Sequence, residues 1–209
     1  AIAHETSKAN NSSWAECVNF SRGSKAPKLM AINASLNESN EEVTLRHPEL
    51  ESVTIHPEKN ADKLIKWVFP IMPENRSKSE KVVRVLGRGM TDTDYPSISL
   101  NSITSHQAVE NKFGEKLDIR RWRGNLWLDG LDPWEELNWI GKTISIGECK
   151  IKVRERIVRC LATTANPVTG ERDVDTLSIL ETWGHKDFGV YGQVLETGKI
   201  MVGDTISVL

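Results

Sequence analysis

Short apolar stretches, separated by polar residues and prolines, make up the first half of the chain. Each stretch is only a few residues long, and three of them are closely followed by Pro48, Pro57 or Pro70. This spacing favours the strands of a sheet over long helices. The predicted strands lie at residues 43–45, 53–55, 64–69 and 81–86.

Two segments carry the signals of helices instead. Thr104 and Gln107 have the form of a capping box, and Gly114 stands where the C-terminal cap of that helix belongs. The apolar positions between them recur about one turn apart, which indicates one buried face. A second helix is predicted at residues 175–183, ended by Gly184.

The second half of the chain has a repeated strand pattern. Residues 140–146 and 202–208 resemble each other, since each has a glycine turn that leads into an alternating strand. Further strands are predicted at residues 150–153, 157–164 and 190–195. Short strands joined by tight turns favour a closed or nearly closed barrel. The predicted fold is α+β and mainly β, with a smaller β-rich N-terminal domain at residues 1–118 and a β-barrel domain with flanking helices at residues 119–209.

Composition narrows the class of protein. A hydrophobic fraction of 38% and a charged fraction of 27% are typical of a folded globular chain rather than a disordered one. A net charge of −2 gives no electrostatic reason to expect a nucleic acid or membrane partner. No apolar run is long enough to cross a membrane, and residues 1–5 do not open a signal peptide. Because three cysteines cannot all pair, the sequence favours a reducing compartment, and we expect the cytoplasm.

One dense basic segment is a candidate binding site. Arg120, Arg121 and Arg123 lie within four residues, next to a predicted strand. Guanidinium groups can bind phosphate through two parallel hydrogen bonds, so the cluster favours a phosphate site. The alternative is a solvated basic face paired with Asp118 or Glu115.

The other candidate is a cysteine preceded by an arginine. Cys160 follows Arg159 where a predicted strand ends. A nearby cation favours the thiolate, which is the form that binds soft transition metals. The alternative is a small hydrophobic residue of the core, the usual role of a lone cysteine in a strand. The five histidines are scattered without zinc-ligand spacing, which argues against a zinc site.

These segments resemble the MOSC family, which is named after the C-terminal domain of molybdenum cofactor sulfurase. The likeness is to the branch that contains the mitochondrial amidoxime-reducing component and its bacterial relatives. It covers the chain from about residue 41 and is most specific from residue 120 onward. The motifs that carry it are Arg121-Trp122-Arg123-Gly124-Asn125-Leu126, Arg159-Cys160-Leu161-Ala162-Thr163-Thr164, Asn166-Pro167, Phe188-Gly189-Val190-Tyr191 and Gly203-Asp204.

The resemblance implies a site for the molybdenum cofactor (Mo-molybdopterin) on a MOSC-type barrel. Cys160 would be the catalytic residue and the protein ligand to molybdenum. The implied cofactor-binding residues are Arg123, Asn125, Tyr191, Arg159 and Thr93. Relatives begin with a further loop and an Asp-Arg-x-Trp motif, and this sequence starts just after that point.

The resemblance further implies an oxidoreductase that reduces small N-hydroxylated compounds. Electrons would come from a separate electron-transfer protein of the ferredoxin, cytochrome or flavin reductase type, because the sequence stops at the barrel. One alternative is a carrier that holds the cofactor or sulfur on Cys160 without turnover. Another is a folded fragment that binds nothing.

Overall fold

The computed structural model describes residues 1–209, which form short strands, three α-helices and several 3₁₀ helices. The strands are β1 Ile2–His4, β2 Asn33–Asn37, β3 Glu42–His47, β4 Leu50–Ile55, β5 Ser79–Val82, β6 Ile98–Ser102, β7 Leu126–Leu128, β8 Thr143–Ile146, β9 Cys149–Val158, β10 Asp187–Glu196 and β11 Ile206–Val208. The α-helices are α1 Ala61–Val68, α2 Ile103–Phe113 and α3 Thr176–Glu181. None of the helices is both long and apolar enough to cross a membrane.

The chain forms two compact units. The first contains residues 1–94 and 160–175, and the second contains residues 95–159 and 176–209. Strand β6 and helix α2 therefore belong to the same unit as the later strands. The domain boundary at residues 118 and 119 stays a prediction.

The first unit contains two small antiparallel sheets. Strand β1 pairs with β5, and β2, β3 and β4 form a three-stranded sheet. Residues 64–69, predicted as a strand, instead form most of α1 and the start of a 3₁₀ turn. Leu64 and Val68 are four residues apart, so they lie on one face of the helix and pack against Val53 and Ile55 of β4.

The second unit is built on a curled six-stranded sheet with the order β11-β8-β9-β10-β6-β7. Neighbouring strands are antiparallel except β6 and β7, which are parallel. The two similar segments, 140–146 and 202–208, contribute β8 and β11, which pair with each other. The predicted α+β, mainly β fold is confirmed, although the sheet is a half-barrel with free edges at β7 and β11.

Alternating apolar residues of this sheet form the main core of the second unit. Ile144 on β8 and both Ile151 and Val153 on β9 are fully buried, together with Leu100 and Val190. On β8 and at the start of β9 the residues between them are more exposed, as expected for strands with one buried face.

Helix α2 begins earlier than the capping-box motif predicts. Ser102 is the N-cap, and its hydroxyl oxygen accepts a hydrogen bond from the N–H of Ser105 at 3.2 Å. The hydroxyl of Thr104 instead shares a hydrogen bond with Ser102. Gly114 ends the helix in the left-handed region, at φ 94°, as predicted. Helix α3 lies inside the predicted range 175–183.

Candidate functional site

Cys160 lies on a turn rather than in a strand. Strand β9 ends at Val158, and Cys160 is the N-cap of a 3₁₀ helix at Leu161–Thr164. Residues 161–164 were predicted as the end of a strand, and that prediction is wrong. The hydroxyls of Thr163 and Thr164 donate to main-chain oxygens three residues earlier, which stabilises a tight turn in place of a strand.

The thiol of Cys160 is exposed and has no hydrogen-bond partner in the chain. This exposure excludes the alternative of a small hydrophobic residue in the core. The turn after Cys160 is held within the first unit by Arg172, whose guanidinium donates to the main-chain oxygen of Leu161 and the hydroxyl of Thr164. Arg172 also donates to the main-chain oxygen of Ser24 at 3.0 Å. Sequence reasoning did not identify Arg172.

The side chain of Arg159 belongs to the second unit and joins three of its segments. Its Nε and Nη2 donate to the main-chain oxygen of Phe188 at 2.9 and 2.6 Å. Nη1 donates to the main-chain oxygen of Trp122 at 2.7 Å, and Nη2 also donates to Oδ1 of Asn101 at 2.8 Å. The three acceptors of these four hydrogen bonds are uncharged oxygens, and together the bonds hold Arg159 in place.

An aromatic stack lies beside the guanidinium of Arg159. The rings of Trp122 and Phe188 are nearly parallel, with centroids 3.9 Å apart, and Arg159 lies 5.6 Å from the centroid of each. The indole N–H of Trp122 donates to Nδ1 of His106 at 3.0 Å, and His106 Nε2 donates to the main-chain oxygen of Leu117 at 3.1 Å. Burial lowers the pKa of His106.

Three hydrogen bonds join Asn125 to Ser99 of strand β6. The side-chain oxygen of Asn125 accepts from the main-chain N–H and the hydroxyl of Ser99, while its own main-chain N–H donates to the Ser99 hydroxyl oxygen. Ser99 is also the register partner of Tyr191 across β6 and β10. The side-chain NH₂ of exposed Asn125 has no partner in the chain and is available to a ligand.

The three clustered arginines have three different environments. Arg120 forms an ion pair with Asp118, and its hydrogen bonds lower the pKa of that carboxyl, so the solvated-face alternative holds for Arg120. Arg121 is buried. Arg123 is exposed, ends the 3₁₀ helix Ile119–Trp122 in the left-handed region at φ 53°, and its guanidinium forms no hydrogen bond or ion pair within the chain. Only Arg123 is therefore both exposed and unengaged.

Thr93 lies in the first unit and is 8% exposed. Its main-chain oxygen accepts hydrogen bonds from Arg88 Nη2 and from the hydroxyl of Thr91, each at 3.2 Å. The segment around Thr93 is therefore held by Arg88, which also lies 5.9 Å from the ring centroid of Trp14.

The structure gathers part of the predicted site around one strand. Asn125 is hydrogen-bonded to Ser99, and Arg159 is hydrogen-bonded to Asn101. Tyr191 is the register partner of Ser99, so three of the predicted residues are paired with residues of β6. Cys160 and Thr93 belong to the other unit. Sequence reasoning missed both Ser99 and Asn101. The available signal was the presence of two polar residues within a short strand next to a helix start.

Comparisons with known proteins give the family. The MOSC domain matches residues 90–207, which is more than half of the chain. Human mitochondrial amidoxime reducing component 2 is 26% identical over 126 residues, which covers 54% of this chain and 37% of that protein. The molybdenum cofactor sulfurase of Caenorhabditis elegans is 26% identical over 149 residues, or 66% of this chain and 21% of that protein. The sulfurase of Drosophila ananassae is 29% identical over 142 residues.

Among solved structures, YiiM from Geobacillus stearothermophilus is similar to 54% of this chain and 53% of its own, with a TM-score of 0.43 and 19% identity. The chain spans well under half the length of the curated relatives it matches. The motifs around Arg123 and Cys160 both lie inside the matched residues. This chain belongs to the MOSC domain family.

Proposed function

We propose that this chain binds the molybdenum cofactor, with the Cys160 thiolate as ligand to the metal, and reduces N-hydroxylated compounds. The observation that carries the proposal is the exposed, unpartnered thiol of Cys160 on a fixed turn, in a chain of the MOSC family. A thiolate is a soft ligand suited to a transition metal. No group of three or more His, Cys, Asp or Glu side chains could hold a metal ion alone, so the cofactor would bring most of the ligands.

The polar groups of the chain fit such a cofactor. Arg123 offers an exposed planar guanidinium for a phosphate, and Asn125 offers an oriented NH₂ for an acceptor on the pterin. Tyr191, Arg159 and Thr93 are the further contacts in this proposal. When bound, the cofactor would supply two-electron reduction chemistry, and the protein would supply binding and orientation.

The proposed reaction removes the oxygen of an N–OH group. Two electrons and two protons convert the N–OH bond to N–H and release one molecule of water. The electrons come from a separate protein of the ferredoxin, cytochrome or flavin reductase type, and the substrate is a small molecule. Nucleic acid and membrane partners are not part of the proposal. We place the reaction in the cytoplasm, where the three free cysteines would stay reduced.

A second candidate function is a carrier of the cofactor or of sulfur. Several matched relatives are named molybdenum cofactor sulfurases, and this favours the alternative. The exposed thiol of Cys160 would then hold its cargo without reducing a substrate.

A turnover assay separates the two functions. Protein loaded with molybdenum and pterin is mixed with a chemical or enzymatic electron donor and with benzamidoxime as the probe substrate. The enzyme proposal predicts the amidine product in wild-type protein and in the Cys17→Ala control, and none in Cys160→Ala. If fully loaded wild-type protein reduces neither benzamidoxime nor a hydroxylamine with any competent donor, the enzyme proposal fails and the carrier function replaces it.

A further inference from the structure

Asn101 is a buried polar residue that the proposed chemistry does not use. It lies on β6 and is 0% exposed. Its Oδ1 accepts from Arg159, but its Nδ2 has no hydrogen-bond partner. A buried amide NH₂ without an acceptor destabilises the folded protein. An asparagine at such a position is therefore expected to have a specific role.

Two glycines make room for the Asn101 side chain. A Cβ atom on Gly124 would lie 2.3 Å from Asn101 Nδ2, and a Cβ on Gly189 would lie 2.3 Å from Oδ1. Gly124 separates Arg123 from Asn125, and Gly189 lies two residues before Tyr191. The Asn101 amide is therefore packed against two segments of the second unit that carry the proposed cofactor-binding residues Arg123, Asn125 and Tyr191.

The side-chain hydrogen bond of Asn101 is to Arg159, which is itself bonded to those same two segments. Arg159 binds the main-chain oxygens of Trp122, just before Arg123, and of Phe188, just before Gly189. Without an acceptor at Asn101, one of the four bonds that orient the guanidinium is lost. An apolar side chain of similar size would fill the same space and remove the unpartnered amide, but it would take from Arg159 the one of these four bonds that a side chain accepts.

We infer that Asn101 is a positioning residue, whose carbonyl oxygen fixes Arg159 and thereby the two segments that present Arg123, Asn125 and Tyr191 to the cofactor. This inference rests on the proposed function only for its last step, from the segments to the cofactor. The position of Arg159 itself can be tested without any cofactor.

The first test is an NMR measurement on cofactor-free protein. A hydrogen-bonded guanidinium Nε–H exchanges slowly with water. Arg159 Nε donates to the main-chain oxygen of Phe188, while Asn101 accepts from Nη2, so Nε–H exchange reports whether the guanidinium stays in place. Arg159→Lys assigns the signal of Arg159. We expect slow exchange in wild-type protein, in the control Asn111→Leu on the exposed face of α2, and in Asn101→Asp, which keeps the acceptor. Asn101→Leu and Asn101→Ala should exchange much faster. Two apolar variants are used because one of them could fail to fold, which circular dichroism detects.

The second test is the retention of molybdenum and pterin during gel filtration. Loss of a side chain that orients binding residues typically weakens a metal site roughly tenfold to a hundredfold. We expect that loss in Asn101→Leu and Asn101→Ala, and near wild-type retention in Asn101→Asp and Asn111→Leu. Unchanged Arg159 exchange in both apolar variants, or an Asn101→Asp variant as impaired as Asn101→Leu, would overturn the inference. Wild-type protein that never holds molybdenum would overturn the proposed function, while the exchange measurement would still decide the role of Asn101.

Discussion

The side-chain oxygen of Asn125 accepts two hydrogen bonds from Ser99, at 2.9 Å from the main-chain N–H and at 3.0 Å from the hydroxyl. The Ser99 hydroxyl oxygen in turn accepts from the main-chain N–H of Asn125 at 2.9 Å. This reciprocal clip ties β6 to the residue that precedes β7. It leaves the NH₂ of Asn125, the group that we propose for cofactor binding, without a partner in the chain.

Removal of the Ser99 hydroxyl should loosen this clip. Ser99→Ala eliminates two of the three hydrogen bonds and leaves the Asn125 main-chain N–H without its acceptor, at an expected cost of about 1–3 kcal/mol in the free energy of unfolding. Ser207→Ala, on exposed β11 of the same sheet, is the control and should change little. Urea unfolding measures the free energy of unfolding of both variants. Equal stability of the two variants would show that the clip contributes nothing.

A methyl group at Gly124 should be unfavourable because of Asn101. The added Cβ of Gly124→Ala would lie 2.3 Å from Asn101 Nδ2, and such overpacking typically costs about 1–3 kcal/mol. Gly89→Ala is the control, because its Cβ would meet no atom closer than 4.0 Å. Thermal unfolding of the double variant Asn101→Ala with Gly124→Ala should show a cost below the sum of the two single costs. Additive costs would contradict the predicted clash.

The stability of the protein should fall in mild acid because of His106. Burial lowers the pKa of His106 in the folded state, so the unfolded chain binds the proton first as the pH falls below about 6.5. The His106 contribution is present above that pH and is lost as the pH falls. Protonation would also remove the acceptor that Nδ1 offers to Trp122. Glu110 Oε1 lies 3.5 Å from Nε2 and reduces the shift without reversing it.

The control for this prediction is His106→Gln, which can keep one donor and one acceptor but does not titrate. Burial raises the pKa of Glu136, whose contribution has the opposite sign because it is lost as the pH rises. Hydrogen bonds lower the pKa of Glu110 and Asp118, whose contributions are lost as the pH falls, so the wild-type curve alone would mix the effects of several groups. The difference between wild type and His106→Gln, measured by urea unfolding from about pH 4.5 to 7, isolates His106. Identical pH slopes would rule out a lowered pKa at His106.

Arg123 should be sensitive to replacement by lysine, and Arg120 should not. A lysine ammonium cannot form the two parallel hydrogen bonds of a guanidinium, so Arg123→Lys should weaken the retention of molybdenum and pterin. Arg120 is paired with Asp118, so Arg120→Lys is a matched control from the same cluster. Cofactor occupancy after gel filtration compares the two. The phosphate role of Arg123 is wrong if both variants retain the cofactor equally well.

The strand-rich fold could be predicted because its signals are local. Alternating apolar residues mark β8 and β9, and the glycine turns of the two similar segments mark β8 and β11. Helix α1 could not be separated from a strand, because a short apolar run next to a proline is compatible with both. Its helical form depends on the packing of Leu64 and Val68 against β4, which is a tertiary contact.

The site was only partly predictable for the same reason. Cys160 and Arg123 are visible in short motifs, and the structure leaves both exposed and unengaged. Ser99 and Asn101 act on residues that lie 26 and 58 positions away in the sequence. Only the folded sheet brings these partners together, so the two polar residues in a short strand could draw attention to Ser99 and Asn101 but could not give their partners.

The central claim is that Cys160 binds molybdenum, and metal analysis tests it most directly. Wild type, Cys160→Ala and Cys17→Ala would be purified from a host that makes the cofactor, and molybdenum per chain measured by mass spectrometry. Cys17 is the matched control, because it is the other exposed thiol. We expect about one molybdenum per chain in wild type and Cys17→Ala, and almost none in Cys160→Ala, because removal of the thiolate removes the protein ligand. Equal molybdenum in all three proteins would contradict Cys160 as the ligand.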